Sequence, residues 1–330
     1  MPGVITTSKL GAAVIGLRMG RVHAEAWATN SRTKLVAVVD RNEAVAKEVA
    51  AAFGVPKVLT DYRPLLEDEE IDVVSVATPD SFHAEQTIQL LRAGTHVLCE
   101  KPMAPTLAEC ARMARTAQRG SSLLMIGQSY RFNPQFAAVK QAVDGGAVGT
   151  PFLVESEYWN NLMGVGGVGN WRMDPKIRHP FVGGCHAMDL IRWVGGEIVE
   201  VSAAANHMAF PEQPTDDCIF ANVRFADGCL GRVLVSSGCQ RPFQTTLDVH
   251  GDKGTIVDGR VIAGKDGKWV PLALPDLPPP IKGEINAFVE SILDGKPVPV
   301  DAKDGYGTMV ACFAVVESSA KGKPVKVGRM

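Results

Sequence analysis

Residues 10–40 read LGAAVIGLRMGRVHAEAWATNSRTKLVAVVD. Residues 10–16 (LGAAVIG) form a short apolar run that ends in glycine, and residues 35–40 (LVAVVD) form a second. Continuous Val, Ile and Leu runs of this length suit strands buried on both faces of a parallel sheet. Between them, GLRMG at 16–20 turns into a helix near Val22. A glycine turn there lets backbone amides meet a pyrophosphate at the positive end of a helix. Arg18 departs from the G-x-G-x-x-G spacing, so the turn alone suits a structural bend equally well. Asp40 tips the balance. It ends the second run roughly 20 residues further on, where an acid binds a ribose diol.

The same alternation continues. Apolar runs recur at 73–78 (VVSVAT), 96–99 (HVLC) and 123–127 (LLMIG). Val45, Val49 and Phe53 mark one helical stripe, and 84–93 and 107–118 behave similarly. Thr106 and Glu109 have the spacing of a capping box at the start of the latter helix. Strand–helix–strand repetition predicts right-handed crossovers and a doubly wound sheet over residues 1–127.

After about residue 150 the period becomes two. Phe152, Val154, Ser156 and Tyr158 alternate with Leu153, Glu155, Glu157 and Trp159. Residues 219–225 alternate too, and Asp227-Gly228 then signals a type I′ hairpin into 229–236. Residues 275–280 are proline-rich and read as a linker, and helices are expected at 283–293 and 302–320. The fold class expected is α/β plus α+β. A Rossmann-type domain precedes a domain at 128–330 built on a mostly antiparallel, open sheet.

Composition narrows the function. The 330 residues are 46% apolar and carry a net charge of −2, which excludes a disordered chain and gives no basic surplus for nucleic acid or anionic lipid. No apolar run reaches the roughly 18 residues of a membrane span, and MPGVITTSKL does not read as a signal peptide. Seven scattered cysteines without a C-x-x-C pair argue against zinc and for reduced thiols in a cytoplasm.

Candidate chemical groups follow. Lys101, within Glu100-Lys101-Pro102, sits at the carboxyl end of a parallel strand, where open α/β sheets bind ligands. His186 and Asp189 lie in GCHAMD, and histidine is suited to moving a proton near neutral pH. Trp171-Arg172 and Tyr130-Arg131 are pocket-lining candidates. His83 either faces a nicotinamide or begins its helix. Cys185 reads as a small packed residue.

In this order the residues resemble the glucose–fructose oxidoreductase, inositol dehydrogenase and rhizopine-catabolism family, Gfo/Idh/MocA. The resemblance spans AVIGLRMGRVHA (13–24), ATPDSFHA (77–84), AGTHVLCEKPM (93–103), QSYRFNP (128–134), GCHAMDL (184–190) and VHGDKGT (249–255). It implies an NAD(P)-dependent dehydrogenase or reductase of sugars, cyclitols or related polyols. By resemblance, Lys101 contacts cofactor and substrate oxygen, and His186 exchanges the hydroxyl proton. Gly16, Arg18, Met19 and Gly20 form the phosphate turn, Asp40 with Arg41 the ribose end, and Thr78, Pro79 and His83 the loop by the nicotinamide. Glu100 and Gln128 join the cofactor set. Arg131, Trp171, Arg172 and Asp189 join the substrate set, and no metal is implied. The family often has an Asp four residues before the histidine; here that position is Val182.

The expectation is therefore a cytoplasmic, NAD-preferring oxidoreductase of a sugar or polyol, forming a homodimer or homotetramer through its second domain. Asp40 disfavours the extra phosphate of NADP. Two readings stay open beside it: a catalytically silent NAD(P)-binding sensor, and an enzyme with tightly retained, cycling NAD.

Overall fold

A computed structural model describes residues 9–163 and 179–328, with backbone only for 179–182. The chain divides into two compact units. The first comprises residues up to Ser129 together with Pro278–Gly305.

This first unit is a six-stranded parallel sheet: β1 (Leu10–Ile15), β2 (Thr33–Val39), β3 (Lys57–Leu59), β4 (Val73–Val76), β5 (His96–Glu100) and β6 (Leu124–Gly127). The spatial order is β3-β2-β1-β4-β5-β6. Every residue of β1, β4 and β6 is buried, as the continuous apolar runs required. Helices α1 (Gly20–Thr29), α2 (Glu43–Phe53), α3 (His83–Arg92) and α4 (Leu107–Arg119) make the crossovers. The strand order reverses between β1 and β4, which opens a crevice at their carboxyl ends.

Local signals hold in part. The Thr106 hydroxyl caps α4 by accepting from Glu109 N–H at 3.2 Å. In α2, however, Ala46, Val49 and Ala50 carry the buried face. Val45 and Phe53, expected in that stripe, are half-buried at its margins.

The sequence reading placed both C-terminal helices in the second domain. Instead, α7 (Pro280–Asp294) belongs to the first unit. Asn30 donates to Asn286 at 2.8 Å, and Arg32 grips Asp294 with two bonds of 2.6 and 2.7 Å. Ile126 N–H donates to Val300 C=O, and Met125 bridges Asp301, so the returning chain covers the edge strand β6.

The second unit comprises Tyr130–Leu277 and residues from Tyr306 onward. It opens with α5 (Pro134–Asp144) and β7 (Pro151–Trp159), followed by α6 (His179–Gly195). Its longer strands are β8 (Ile198–Asn206), β9 (Cys218–Phe225) and β10 (Leu230–Ser236). Short strands follow: β11 (Gln244–Thr245), β12 (Asp248–Gly251), β13 (Gly254–Val257), β14 (Arg260–Ala263) and β15 (Val270–Pro271). After α8 (Ala302–Lys321), β16 (Val325–Lys326) closes a ten-stranded sheet. The pairing is mostly antiparallel. The exception is β10, which runs parallel to β7: α6 carries the chain across to β8, and the antiparallel steps β8–β9 and β9–β10 bring β10 back beside β7 in the same direction.

The hairpins sort differently from expectation. At Asp227-Gly228 only Gly228 has positive φ, 95°, and its N–H bonds Phe225 C=O. That is a type I turn closed by a left-handed glycine. The type I′ geometry lies at Asp258-Gly259, where φ is 49° and 68° between β13 and β14.

One face of the sheet packs on α6 through Val154, Tyr158, Val223, Val233 and Val235. The opposite face carries Leu153, Glu155, Glu157 and Trp159, with Phe220 and Leu230 exposed.

Candidate active site

In the first unit, a cleft of about 460 Å³ opens at the carboxyl ends of β1, β2 and β4. Gly16, Asp40, Arg41, Thr78 and Pro79 are among its walls. Gly16 has φ +83°, and a β-carbon there would lie 2.8 Å from the Ala77–Thr78 backbone, so only glycine makes this turn. Leu17 is buried, whereas Arg18 and Met19 are exposed on the turn. Arg18 therefore replaces a turn glycine at a position where a side chain has room. Met19 leaves the first turn of α1 without a side-chain cap, and no acidic residue lies there. Such an end attracts an anion.

Asp40 closes the rim. Its Oδ2 accepts from Leu17 N–H at 2.8 Å, and its Oδ1 accepts from Asn42 N–H at 2.9 Å. A fixed carboxylate opposite an open helix start is the donor–acceptor set that a dinucleotide needs. These residues fit NAD: Asp40 would hold the adenosine ribose, the α1 amides the pyrophosphate, and Thr78 and Pro79 the nicotinamide side.

At the end of β5, Lys101 is half-buried and its backbone N–H donates to Glu100 Oε2 at 3.1 Å. Glu100, placed by sequence in the cofactor set, turns inward instead. It is 5% exposed, and its Oε1 lies 3.0 Å from His23 Nε2. His23 Nδ1 in turn lies 3.1 Å from Ser75 Oγ, which accepts from Trp27 Nε1. No motif signalled this buried network, because its members come from three separate elements.

His83 begins α3 and is buried. Its Nε2 lies 2.8 Å from Thr78 C=O and its Nδ1 2.9 Å from Pro102 C=O. Both ring nitrogens thus face backbone carbonyls. Gln128 is buried at the end of β6.

In the second unit, His186 is 4% exposed within α6. Its ring stacks on Tyr130, and Tyr158 lies 6.4 Å away on a tilt. Gly184 lets the helix approach β10, since a β-carbon there would lie 2.7 Å from Val235. Arg131 and Asp189, expected to meet substrate, hold each other. Arg131 Nε and Nη2 donate to the two carboxylate oxygens at 2.8 and 2.7 Å, and Thr308 adds a third bond at 2.9 Å. Their side chains are 6% and 1% exposed, so the pair fixes the segment before α5 against α6. A bidentate pair cannot be seen in sequence because its partners are remote along the chain. Trp171 and Arg172 lie outside the described residues. Among the described residues, no cluster of three or more His, Cys, Asp or Glu could hold a metal.

Comparison with known proteins places this geometry. Residues 10–128 match a family model described as "Oxidoreductase family, NAD-binding Rossmann fold", and residues 136–257 match "GFO/IDH/MocA C-terminal domain". Myo-inositol 2-dehydrogenase of Thermotoga maritima is 26% identical, covering 95% of this chain and 97% of that protein. Inositol 2-dehydrogenase of Rubrobacter xylanophilus is 29% identical, covering 97% and 94%. A solved structure of levoglucosan dehydrogenase in complex with NADH superposes with a TM-score of 0.88 at 27% identity, covering 98% of this chain and 100% of that one.

Proposed function

Because the chain belongs to the Gfo/Idh/MocA oxidoreductase family, we propose that it oxidises a secondary hydroxyl of a sugar, cyclitol or related polyol with NAD. The observation that carries the cofactor assignment is Asp40, fixed by Leu17 N–H at the rim of the cleft and facing the uncapped start of α1. Its relatives include inositol 2-dehydrogenases, and a levoglucosan dehydrogenase structure contains NADH.

NAD, when bound, supplies the hydride acceptor. The chain's own residues handle the hydroxyl. Lys101 donates a hydrogen bond to the substrate oxygen and stabilises negative charge on it as the carbonyl forms. His186 takes the hydroxyl proton on a ring nitrogen. In the reverse direction His186 returns that proton, and Lys101 polarises the carbonyl. Thr78 and Pro79 hold the nicotinamide side, and the α1 amides neutralise the pyrophosphate.

The test is direct. Incubating the protein with NAD+ and a panel of inositols, anhydrosugars and hexoses should produce NADH absorbance with one class. A protein that binds NADH but oxidises none of the panel supports a cofactor-binding sensor. Val182, standing where the family often has an acid, is the observation that favours that second reading. Cofactor retained through purification, with turnover but no net NADH, would indicate NAD cycling within the site.

Two further proposals complete the reading. The exposed sheet face bearing Phe220 and Leu230 supports a homodimer or homotetramer, which light scattering at micromolar concentration would test. The seven cysteines form no disulfide with one another, which supports a reducing cytoplasm. No helix among the described residues is long and apolar enough to cross a membrane.

A further inference from the structure

The unusual feature near Lys101 is the environment of His83, which is 1% exposed. A neutral imidazole has one donor nitrogen and one acceptor nitrogen. Here Nε2 faces Thr78 C=O at 2.8 Å and Nδ1 faces Pro102 C=O at 2.9 Å. Either neutral tautomer would set a nitrogen lone pair against a carbonyl lone pair, inside the protein and away from water. Only the doubly protonated ring satisfies both acceptors.

We propose that His83 is a positioning residue held as an imidazolium, donating both ring N–H groups and so tying the loop of Lys101-Pro102 to the loop of Thr78-Pro79.

The surroundings can carry that charge. Asp80, one turn earlier, is 3% exposed, and its Oδ1 has no hydrogen-bond partner among the described residues. A buried carboxylate beside a buried imidazolium offsets the cost of burying either. From β5, Cys99 also faces the ring and hydrogen-bonds it. Lys101 is the other cation near Asp80. Burial opposes the charge on His83, but Cys99, Asp80 and Thr78 C=O outweigh it and push the imidazole up to about 9. The two tied carbonyls flank the chemistry: Thr78 lines the cofactor cleft, and Pro102 directly follows Lys101. This charge has a signed consequence. A histidine raised from 6.5 to about 9 contributes stability that is fully present below 6.5 and is lost as pH rises through about 9.

The protonation state is independent of the assignment of Lys101 as catalytic; the kinetic consequence rests on it. The protein labelled with 15N-histidine is titrated by NMR from about pH 6 to about pH 10, without cofactor. One of the seven imidazoles should carry two N–H protons at pH 7.5 and lose one near pH 9. Its signals should vanish in His83→Gln. If that variant does not fold, through-space contacts from the ring protons to Thr78 and Pro102 identify the ring in the wild type. A His83 with one N–H at pH 7.5, or one that titrates near 6.5, overturns the proposal.

In kinetics, His83→Gln should lower kcat/KM by up to about 10²-fold through misplacement of Lys101. It should also abolish an alkaline limb near pH 9. An alkaline limb unchanged in the variant also overturns the positioning role. Absence of turnover with every substrate, alongside a doubly protonated His83, would instead sink the dehydrogenase reading and leave the imidazolium standing.

Discussion

The imidazole of His186 lies flat on the phenol ring of Tyr130, with ring centroids 4.0 Å apart and planes 6° from parallel. Tyr130 in turn stacks on Phe136 at 5.5 Å. This row fixes the plane of the histidine from one side. An aromatic pair of this kind contributes about 0.5–1.5 kcal/mol beyond burial. Tyr130→Phe should therefore keep near wild-type kcat, and Tyr130→Ala should lower kcat by up to about tenfold. His186→Asn removes the proposed base and should cut turnover by about 10²- to 10⁴-fold while NADH binding stays intact. Steady-state kinetics with a fluorescence titration of NADH separates the effects. A His186→Asn enzyme that turns over normally would reduce His186 to a packed helix residue.

Cofactor preference turns on Asp40. Its carboxylate is held by Leu17 and Asn42 N–H groups, so it cannot swing away from an incoming 2′-phosphate. NADH should bind more tightly than NADPH. Hydrogen bonds to a charged group are worth about 1.5–3 kcal/mol. Asp40→Ala should thus weaken NADH by about 10- to 100-fold and narrow the gap between the two cofactors. Equal affinity of the wild type for both would show that Arg41, beside it, dominates.

Much of this was legible in sequence because it is local. The run of residues 10–16 had to be a buried strand, the glycine turn and Asp40 had to meet at its end, and Thr106 had to cap α4. What sequence could not show depends on contacts between remote elements. The return of α7 to the first unit rests on Asn286 and Asp294 meeting α1 and the turn after it. The parallel β7–β10 pair has the same alternation as an antiparallel one, so its direction was hidden. Arg131 and Asp189 looked like polar groups available to a substrate; burial and mutual geometry make them a structural pair. That Lys101 follows the end of β5 could be read, but the carbonyls around His83 and the ring under His186 could not.

The Arg131–Asp189 pair makes a stability prediction. Removing the Asp189 carboxylate takes away two bonds to the buried Arg131 guanidinium, and breaking a buried pair in this way costs about 3–5 kcal/mol. Asp189→Ala should lose that amount in urea unfolding, with Thr308 also losing its acceptor. Arg131→Met combined with Asp189→Leu should recover most of the loss, since neither buried charge remains. A cost below about 1 kcal/mol for Asp189→Ala would mean that the bonds to Asp189 are not what holds Arg131 in place.

The last prediction concerns Glu284 on α7. It is fully buried, and neither carboxyl oxygen has a hydrogen-bond partner among the described residues. Burial, reinforced by the nearby charge of Glu100, pushes its carboxyl well above the ordinary 4.5. The sign follows from which state holds the proton. At pH values below 4.5 the group is protonated in both states and makes no pH-dependent contribution. As pH rises past 4.5 the unfolded chain ionises while the folded chain keeps its proton, so stability is lost up to the raised value. The loss runs at about 1.4 kcal/mol per pH unit over that window. Glu284→Gln has the same shape and never ionises. The variant should therefore gain on the wild type as pH rises above 4.5 toward the raised value, with the smallest difference at the acid end. Urea midpoints at a series of pH values would measure it. A variant that differs from the wild type by the same amount at every pH would show that Glu284 titrates alike in both states, and that water or a partner reaches its carboxyl.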